Sequence, residues 1–436
     1  FPLNVSESLD TDLDGIGNNT DLDDDNDGVP DSSSWVQLGQ DIVGENAEDY
    51  SGRVSVSADG SVVAIGAYAN DGGGVGAGHV RIFAFDGQAW IQRGQDIEGK
   101  TAYEGIAYST SLSRDGSVIA FGAGCYDCQA SPGGSRVYAW NGESWVQRGE
   151  DIVGEGIGDW SGNAVKLSAD GTVLATAAPL NDGNGEDSGQ VRVHYWDGQN
   201  WLQRGQDIDG EAAGDRSGRW DFDMAADGLF LAIGGQRNGG NGDDSGHLRV
   251  YVWNQTDGLW IQRGQDMEGL GAGDWSGSSG SISDDGSVVA VGALRNDANG
   301  TDSGHVRIYA WDEIAGWVQR GEDINGSAAY DNFGWSTSLS ADGSTVSIGA
   351  WQFDVSWGAG YVRIYDWNEE TQQWTQEGQD ITGSVGDHSG WSVPLSDDGS
   401  IVAIGAFGSL ESRGGTKIYA LRAADAFPLD ATESLD

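Results

Sequence analysis

The chain is organised by one phrase, W-x-Q-x-G-(Q/E)-D, which occurs seven times. The copies begin at Trp35, Trp90, Trp145, Trp201, Trp260, Trp317 and Trp374. An Asp-Gly pair keeps the same rhythm, beginning at Asp59, Asp115, Asp170, Asp227, Asp285, Asp342 and Asp398. Tandem repeats a little longer than about 40–50 residues indicate a propeller, a solenoid or an array. Residues that recur in every copy are expected to join the copies, so a catalytic group is expected among the exceptions.

The repeat unit predicts four short strands. In the third copy we predict strands over Ala164–Ser168, Val173–Ala177, Gln190–Trp196 and Trp201–Gly205. Asp170-Gly171 is expected to make a two-residue hairpin turn, and the third segment alternates polar with apolar residues, as half-buried strands do. Seven such units predict an all-β fold, a seven-bladed β-propeller of four-stranded antiparallel blades.

Both ends of the repeat array favour a closed ring over an open solenoid. The last copy ends near Leu421 without its W-x-Q-x-G strand, whereas the first copy begins with a spare one at Trp35. This N-terminal strand is expected to complete the last blade and leave no open edge. The predicted domains are a linker over 1–34, the propeller over 35–424 and a terminal segment over 425–436.

The repeat resembles the FG-GAP family, whose fold forms the head of integrin α-chains. The resemblance lies in Phe333–Leu339, in Val289–Ala293 and in Gly304–Tyr309, and most other copies carry Ser-Gly where the family has Phe-Gly. Some blades of that family hold calcium between their first two strands. Here the tight Asp-Gly turn occupies that connection, so calcium of that type is not expected.

An acidic segment precedes the ring. Carboxylates and carbonyls at alternate positions of a tight loop, with glycine at the bend, supply the oxygens that calcium prefers. The predicted calcium ligands are Asp10, Asp12, Asp14, Ile16, Asn18, Asp21, Asp23, Asp25, Asp27, Val29 and Asp31, with Ile16 and Val29 acting through their carbonyls. The segment resembles a thrombospondin type 3 repeat of large bacterial surface proteins. A solvated acidic linker is the alternative.

The two ends of the chain share a phrase. Phe1-Pro2-Leu3-Asn4 near the start returns as Phe427-Pro428-Leu429-Asp430 near the end, and Glu-Ser-Leu-Asp follows in both places. This duplication predicts one unit of a longer series. Phe1, Pro2, Leu3, Phe427, Pro428 and Leu429 are therefore predicted to mediate head-to-tail association with further copies.

Composition limits the partners. The net charge is −47 and only three lysines are present, so binding to nucleic acid or to an anionic membrane is not expected. No apolar run reaches about 20 residues, which excludes a membrane-spanning helix from the prediction. Cys125 and Cys128 are the only cysteines. We expect them to form a local disulfide, which indicates an oxidising, extracellular location.

Further candidate sites are modification and loop sites. Sequons for N-glycosylation occur at Asn4, Asn18, Asn254, Asn299 and Asn325. Three histidines occupy one position of the repeat, and five arginines occupy another, so scaffold roles are expected for both sets. The histidines are His79, His247 and His305, and the arginines are Arg81, Arg192, Arg249, Arg307 and Arg363. The loops Cys125–Gly134 and Gln352–Gly360 depart from the repeat and are candidates for binding glycans or surface proteins.

These observations predict a non-catalytic, extracellular structural module of a repetitive fibre or giant adhesin, stiffened by calcium. The alternatives are a glycan-binding or ligand-binding propeller and, less favoured, a polysaccharide-active enzyme. No serine–histidine–aspartate arrangement, phosphate loop or isolated pair of carboxylates stands out in the sequence, so no catalytic residue is nominated.

Overall fold

The computed structural model describes residues 33–123, 131–220, 222–352, 358–408 and 412–422. These residues form seven antiparallel sheets, which we number as blades 1 to 7, each with four main strands and one two-residue strand. Blades 1 to 3 consist of β3 (Ser51–Val56), β4 (Val62–Ala67), β5 (His79–Phe85), β6 (Trp90–Gln92) and β7 (Ile97–Glu98); β8 (Ile106–Leu112), β9 (Val118–Ala123), β10 (Gly134–Trp140), β11 (Trp145–Gln147) and β12 (Ile152–Val153); and β13 (Val165–Leu167), β14 (Val173–Ala178), β15 (Gln190–Trp196), β16 (Trp201–Gln203) and β17 (Ile208–Asp209). Blades 4 and 5 consist of β18 (Phe222–Met224), β19 (Phe230–Gly235), β20 (His247–Asn254), β21 (Leu259–Gln262) and β22 (Met267–Glu268); and β23 (Ser276–Ile282), β24 (Val288–Ala293), β25 (His305–Asp312), β26 (Gly316–Gln319) and β27 (Ile324–Asn325). Blades 6 and 7 consist of β28 (Phe333–Leu339), β29 (Thr345–Ala350), β30 (Tyr361–Asn368), β31 (Gln373–Gln376) and β32 (Ile381–Thr382); and β33 (Ser389–Ser392), β34 (Ile401–Ala406), β35 (Gly415–Arg422), β1 (Ser34–Gln37) and β2 (Ile42–Val43).

The predicted seven-bladed propeller and its ring closure are confirmed. The N-terminal strand β1 pairs antiparallel with β35, with Trp35 opposite Leu421, and so completes blade 7. The first strand of each blade contacts the first strand of the next, and β33 of blade 7 contacts β3 of blade 1. These first strands therefore line an axial channel.

The W-x-Q-x-G-(Q/E)-D phrase joins neighbouring blades. In every copy the tryptophan indole Nε1 donates a hydrogen bond to a backbone carbonyl of the preceding copy, as in Trp90 to Leu38 at 2.8 Å and Trp35 to Glu377 at 3.0 Å. The glutamine of the phrase also donates to its aspartate, at 2.7 Å for Gln37 and Asp41. The recurring residues thus connect the blades, as predicted.

The Asp-Gly turns form a ring at one end of the channel, which we call the lower end. In each turn the glycine has a positive φ, for example +69° at Gly60, while the aspartate does not, so the connection is a type I turn ending in a left-handed glycine. The two-residue hairpin predicted for Asp170-Gly171 requires a positive φ at both residues, so that prediction is wrong. The residue before each aspartate donates its N–H to the matching carbonyl of the next blade, from Ala58 to Arg114 at 2.8 Å and finally from Asp397 to Ala58 at 2.8 Å. Seven such bonds form a closed ring.

Apolar side chains are buried between blades. One cluster combines Ile82, Ile106 and Phe121, which are fully buried, with Trp145. The strands of blade 3 lie within two residues of their predicted ends, and β15 matches its predicted range. The two-residue fifth strand of each blade was not predicted. Among the described residues no helix is long and apolar enough to cross a membrane.

Several predicted sites fall outside the described residues. They are the calcium segment Asp10–Asp31, the cysteines Cys125 and Cys128, the sequons Asn4 and Asn18, and the terminal phrases Phe1–Leu3 and Phe427–Leu429. Calcium binding, the disulfide, head-to-tail association and the extracellular location therefore stay predictions.

Candidate functional site in the axial channel

The axial channel holds a cavity of about 260 Å³ lined by the innermost strands of several blades. Serine and threonine side chains form part of its wall, beside a larger set of charged, aromatic and apolar residues. The charged lining residues are Arg53, Lys166, Asp223 and Asp284, which stand at repeat positions where most other blades have serine or alanine. The aromatic lining residues are Tyr108, Trp220, Trp335 and Trp391, which occupy one repeat position, seven residues before the aspartate of the Asp-Gly pair.

The middle of the channel carries an ion pair in a slot where most copies have serine. In that slot the hydroxyls of Ser111, Ser281 and Ser338 accept a backbone N–H from the next blade, at 3.0 to 3.1 Å. Asp223 takes the same role with a carboxylate, accepting the N–H of Ile282 at 3.0 Å. Its other oxygen lies 3.5 Å from Lys166 Nζ. The repeat position thus anchors a charged pair that faces the cavity.

The lower end of the channel is crossed by an arginine. Arg114, Asp284 and Asp397 occupy a slot that is alanine in the other four blades. Arg114 of blade 2 pairs with Asp284 of blade 5 at 2.6 Å, across the ring, and also with Asp397 of blade 7. Backbone bonds of the lower ring fix all three positions. The guanidinium therefore bridges two carboxylates at the channel floor.

Asp284 combines access to the cavity with a perturbed pKa. Burial raises the pKa of its carboxyl above the ordinary value of 3.8, Arg114 opposes the rise, and the neighbouring charges of Asp397 and Asp223 add to it. A carboxyl with a raised pKa in a cavity is a candidate general acid or base. Asp284 is the residue of this channel best suited to transfer a proton.

Aromatic rings surround the upper end of the channel, where the innermost strands begin. We call this set the aromatic collar. It consists of Tyr50, Tyr68, Tyr108, Trp220, Trp275, Trp335, Trp351, His388, Trp391 and Phe407. Its ring centroids lie close together, with Trp335 at 5.1 Å from Trp220 and 4.9 Å from Trp391. Such rings offer flat faces for stacking against a ring-shaped ligand.

Four arginines stand among these rings and form the arginine group: Arg53, Arg219, Arg237 and Arg295. Arg53 lies 4.2 Å from the ring centres of both Tyr108 and Trp391, and Arg295 lies 3.8 Å from that of Trp275. Within the described part of the chain, the buried Nε atoms of Arg219 and Arg237 have no hydrogen-bond partner. In a chain of net charge −47, this is a local concentration of positive charge.

The electrostatics of the arginine group favour an anion. Burial, together with the charges of Arg216 and Arg237, lowers the pKa of Arg219 to about 10. Arg216 is paired with Asp187 at 2.9 Å, but no ion pair involves Arg219 or Arg237 among the residues that the structure describes. Because desolvation and neighbouring like charges both disfavour the charged form of Arg219, a carboxylate or phosphate bound here would be stabilised.

Four collar residues have left-handed backbones. Tyr50, Trp220, Trp275 and His388 have φ values of 51°, 67°, 56° and 53°. Tyr50, Trp275 and His388 directly precede the first strand of their blades, a position that also has a positive φ at Trp160 of blade 3, so this conformation belongs to the repeat. Trp220 lies two residues before its strand, and a bulky residue in the left-handed region is uncommon and costs of order 1–3 kcal/mol.

The predicted candidate residues within the described ranges lie away from the channel. Asn254 Nδ2 donates to Asp257 at 2.8 Å, and Asn299 Nδ2 and Asn325 Nδ2 donate to backbone carbonyls. Of the repeated arginines, Arg249 pairs with Glu211 and Asp266, and Arg363 with Asp380, as expected for scaffold residues. The channel residues were missed, although the charged ones stand as exceptions at aligned repeat positions and the aromatic ones recur at a single position.

Carboxylate and histidine side chains also come together on the outer part of two blades. Ligand atoms of Glu45, His79 and Asp96 lie within 4.8 Å of one another, and so do those of Glu211, His247 and Asp266. Such groups can hold a divalent metal ion. The sequence had assigned these histidines to the scaffold.

Solved structures share this fold at low sequence identity. No family model matches the chain, and no curated protein matches it. A hydrazine synthase structure from Kuenenia stuttgartiensis has a TM-score of 0.56 at 15% identity and covers 88% of this chain and 98% of its own. The periplasmic gluconolactonase PpgL of Pseudomonas aeruginosa has a TM-score of 0.52 at 17% identity, covering 77% and 86%. A putative 6-phosphogluconolactonase from Bacteroides uniformis has a TM-score of 0.53 at 12% identity, covering 76% and 85%.

These similarities correct the predicted function. All three proteins are named as enzymes, and none of the three names describes an FG-GAP protein, a thrombospondin repeat, an adhesin or a fibre. The prediction of a non-catalytic structural module is therefore wrong. It relied on the repeated terminal phrase together with the predicted calcium segment. No catalytic residue was nominated, because a propeller distributes its channel residues over many blades, where no motif is visible. At these identities the similarity establishes the seven-bladed propeller fold.

Proposed function

We propose that the protein is a hydrolase that opens a lactone or ester of an anionic, sugar-like ring in the axial channel. The observation that carries the proposal is the convergence of side chains from several blades, with aromatic rings and arginines at the upper mouth and the charged exceptions to the repeat, Asp223, Lys166 and Asp284, below. The names of two similar structures, a gluconolactonase and a putative 6-phosphogluconolactonase, support the substrate class.

The proposed roles follow from the geometry. The aromatic collar stacks against the sugar-like ring, and the arginine group binds its carboxylate or phosphate by charge-assisted hydrogen bonds. Asp284 accepts a proton from water as the water oxygen attacks the carbonyl carbon. The C–O bond to the leaving oxygen then breaks, and that oxygen takes the proton, giving a carboxylic acid and an alcohol. Lys166 and Arg114 stabilise negative charge near the reacting carbonyl.

The activity is tested by following acid release from a panel of sugar lactones with and without a carboxylate or phosphate. We expect hydrolysis of the anionic members, with R237Q raising KM about tenfold or more because one charge-assisted contact is lost. R422Q, which removes the same charge from an exposed residue at the end of β35, is expected to leave KM unchanged. Equal rates for wild type and heat-denatured protein on the whole panel would overturn the proposal.

We further propose that the ion held by the acidic segment Asp10–Asp31 is calcium, as its thrombospondin type 3-like spacing suggests. The double variant D12N/D14N is expected to bind at least one calcium ion fewer than the wild type in calorimetric titration, because two of the alternating carboxylates are lost. D243N removes one charge from an exposed loop of the ring and is expected to keep the wild-type stoichiometry. An unchanged stoichiometry in D12N/D14N would contradict this assignment.

A further inference from the structure

We propose that Glu45, His79 and Asp96 form a binding site for one divalent transition-metal ion of the zinc class, at the seam where the ring closes. The three residues belong to three different segments: the loop after β2, the first residue of β5, and the loop after β6. Their ligand atoms lie within 4.8 Å of one another. This site is separate from the axial channel and does not depend on the proposed hydrolase activity.

The first observation is a buried histidine without a hydrogen-bond partner. His79 is 0% exposed, and neither of its ring nitrogens has a hydrogen-bond partner among the described residues. Buried polar groups are normally satisfied, so an orphaned imidazole needs an explanation. Its Nδ1 lies 4.0 Å from Glu45 Oε2, too far for a hydrogen bond. That gap is close to the spacing of two atoms bound to one metal ion, so a small closure of the side chains would complete the contact.

The second observation is an excess of negative charge around His79. Glu98 pairs with His79 across the β5–β7 ladder. The Oε2 atom of Glu98 is buried and has no hydrogen-bond partner among the described residues. Arg81 is the nearby cation, but its Nη1 lies 3.8 Å from Glu45, and its Nη2 donates to the carbonyl of Val43 at 2.7 Å. A divalent cation would compensate these carboxylates.

Two other blades carry a histidine at the position of His79, the first residue of the third strand, and neither offers the same set of metal ligands. In blade 4, Arg249 pairs with both carboxylates of the equivalent group, at 2.7 Å from Glu211 and 2.6 Å from Asp266. A cation is thus already present there. In blade 5, His305 is also buried without a hydrogen-bond partner among the described residues, but Leu270 occupies the position that corresponds to Glu45. That blade lacks the second carboxylate.

The donor set selects the metal class. One imidazole and two carboxylates suit zinc and neighbouring first-row ions, whereas calcium is bound by oxygen ligands alone. Glu45 follows β2, the short strand that pairs with β35 to close the ring. A metal ion here would therefore fasten the closing segment of blade 7 to blade 1 and stabilise the closed ring.

The experiment titrates the chelator-treated full chain with zinc in excess calcium, so that the acidic N-terminal segment is occupied. We expect one tight zinc site in the wild type and a rise in Tm on zinc addition. H79Q is expected to lower zinc affinity at least about tenfold, since even changes beyond the direct ligands cost about 10–100-fold. The glutamine is tolerated at this slot, because Gln190 occupies it in blade 3.

H247Q is the matched control, and it is expected to retain zinc affinity because Arg249 already neutralises that group. E45Q is a second test that keeps the histidine, and it is expected to weaken zinc binding in the same way as H79Q. Cobalt added in place of zinc should give visible absorption bands of a nitrogen-containing site in wild type and not in H79Q. Equal zinc binding by wild type and H79Q, or equal losses in H79Q and H247Q, would overturn the proposal.

Discussion

Replacing Asp284 by asparagine is expected to reduce kcat/KM for the lactone or ester substrate about 10²–10⁴-fold while leaving the fold intact. The carboxyl is the proton acceptor of the proposed reaction, and asparagine cannot accept the proton. In the wild type, kcat/KM is expected to rise with pH as Asp284 ionises, at a pH above its ordinary pKa of 3.8, because burial raises that pKa.

The same substitution is expected to preserve or raise Tm at neutral pH. A folded-state pKa above the unfolded-state value means that the contribution of Asp284 to stability is present below about pH 3.8 and is lost as the pH rises. At neutral pH the ionised carboxylate therefore opposes folding, and the neutral asparagine removes that cost. Arg114 keeps Asp397 as its partner in the variant.

Asp285 provides the matched control one residue along the chain. Burial alone would raise its pKa, but hydrogen bonds from Ser287 and Ser283 lower it below the ordinary value. Its contribution to stability is therefore present above about pH 3.8 and is lost as the pH falls. D285N should lower Tm at neutral pH and keep the activity, which is the reverse of D284N. If both variants kept full activity, Asp284 would not be the proton acceptor.

Replacing Trp35 by alanine is expected to destabilise the protein by about 3–5 kcal/mol, the usual cost of removing a large buried aromatic side chain. Trp35 is 3% exposed, and its indole Nε1 donates to the carbonyl of Glu377 at 3.0 Å. It lies on β1, the N-terminal strand that completes blade 7 by pairing with β35 near the other end of the repeat array. W35A should therefore also release β1, measured as faster amide exchange in β1 and β35.

W145A separates the effect of the cavity from the effect of ring closure. Trp145 is also 3% exposed and makes the equivalent bond to the carbonyl of Arg93 at 2.7 Å, but its strand β11 follows β10 directly in the chain. W145A should cost a similar free energy of unfolding by denaturant, with exchange in β1 and β35 unchanged. Equal exchange profiles for the two variants would show that β1 does not hold the ring closed.

The architecture was predictable from the sequence because every blade carries the same sequence pattern. The tryptophan phrase, the alternating third strand and the missing outer strand of the last copy together predicted seven blades and their closure by Trp35. The two-residue fifth strands were missed, since segments such as Ile97–Glu98 have no periodicity of their own and form only by pairing with a neighbouring strand.

The candidate site was not predicted, because its parts are far apart in the chain. Arg114 and Asp397 differ by 283 residues and meet only because the Asp-Gly turns of all blades converge at the lower ring. The histidines were interpreted as scaffold because they share a slot. The surroundings of that position differ between blades. Arg249 pairs with the carboxylates near His247, whereas the carboxylates near His79 are uncompensated. These side-chain contacts are not visible in the repeat pattern.

The sequence by itself determined the number of blades, the residues that join them and the closure of the ring, since these depend on local strand patterns and on interactions repeated in every copy. The tertiary structure decided which exceptions to the repeat act together. Closing seven blades into a ring brings the first strand of every copy to the same axis. Residues that are hundreds of positions apart in the chain therefore share one cavity and one electrostatic environment, although no single copy shows a motif.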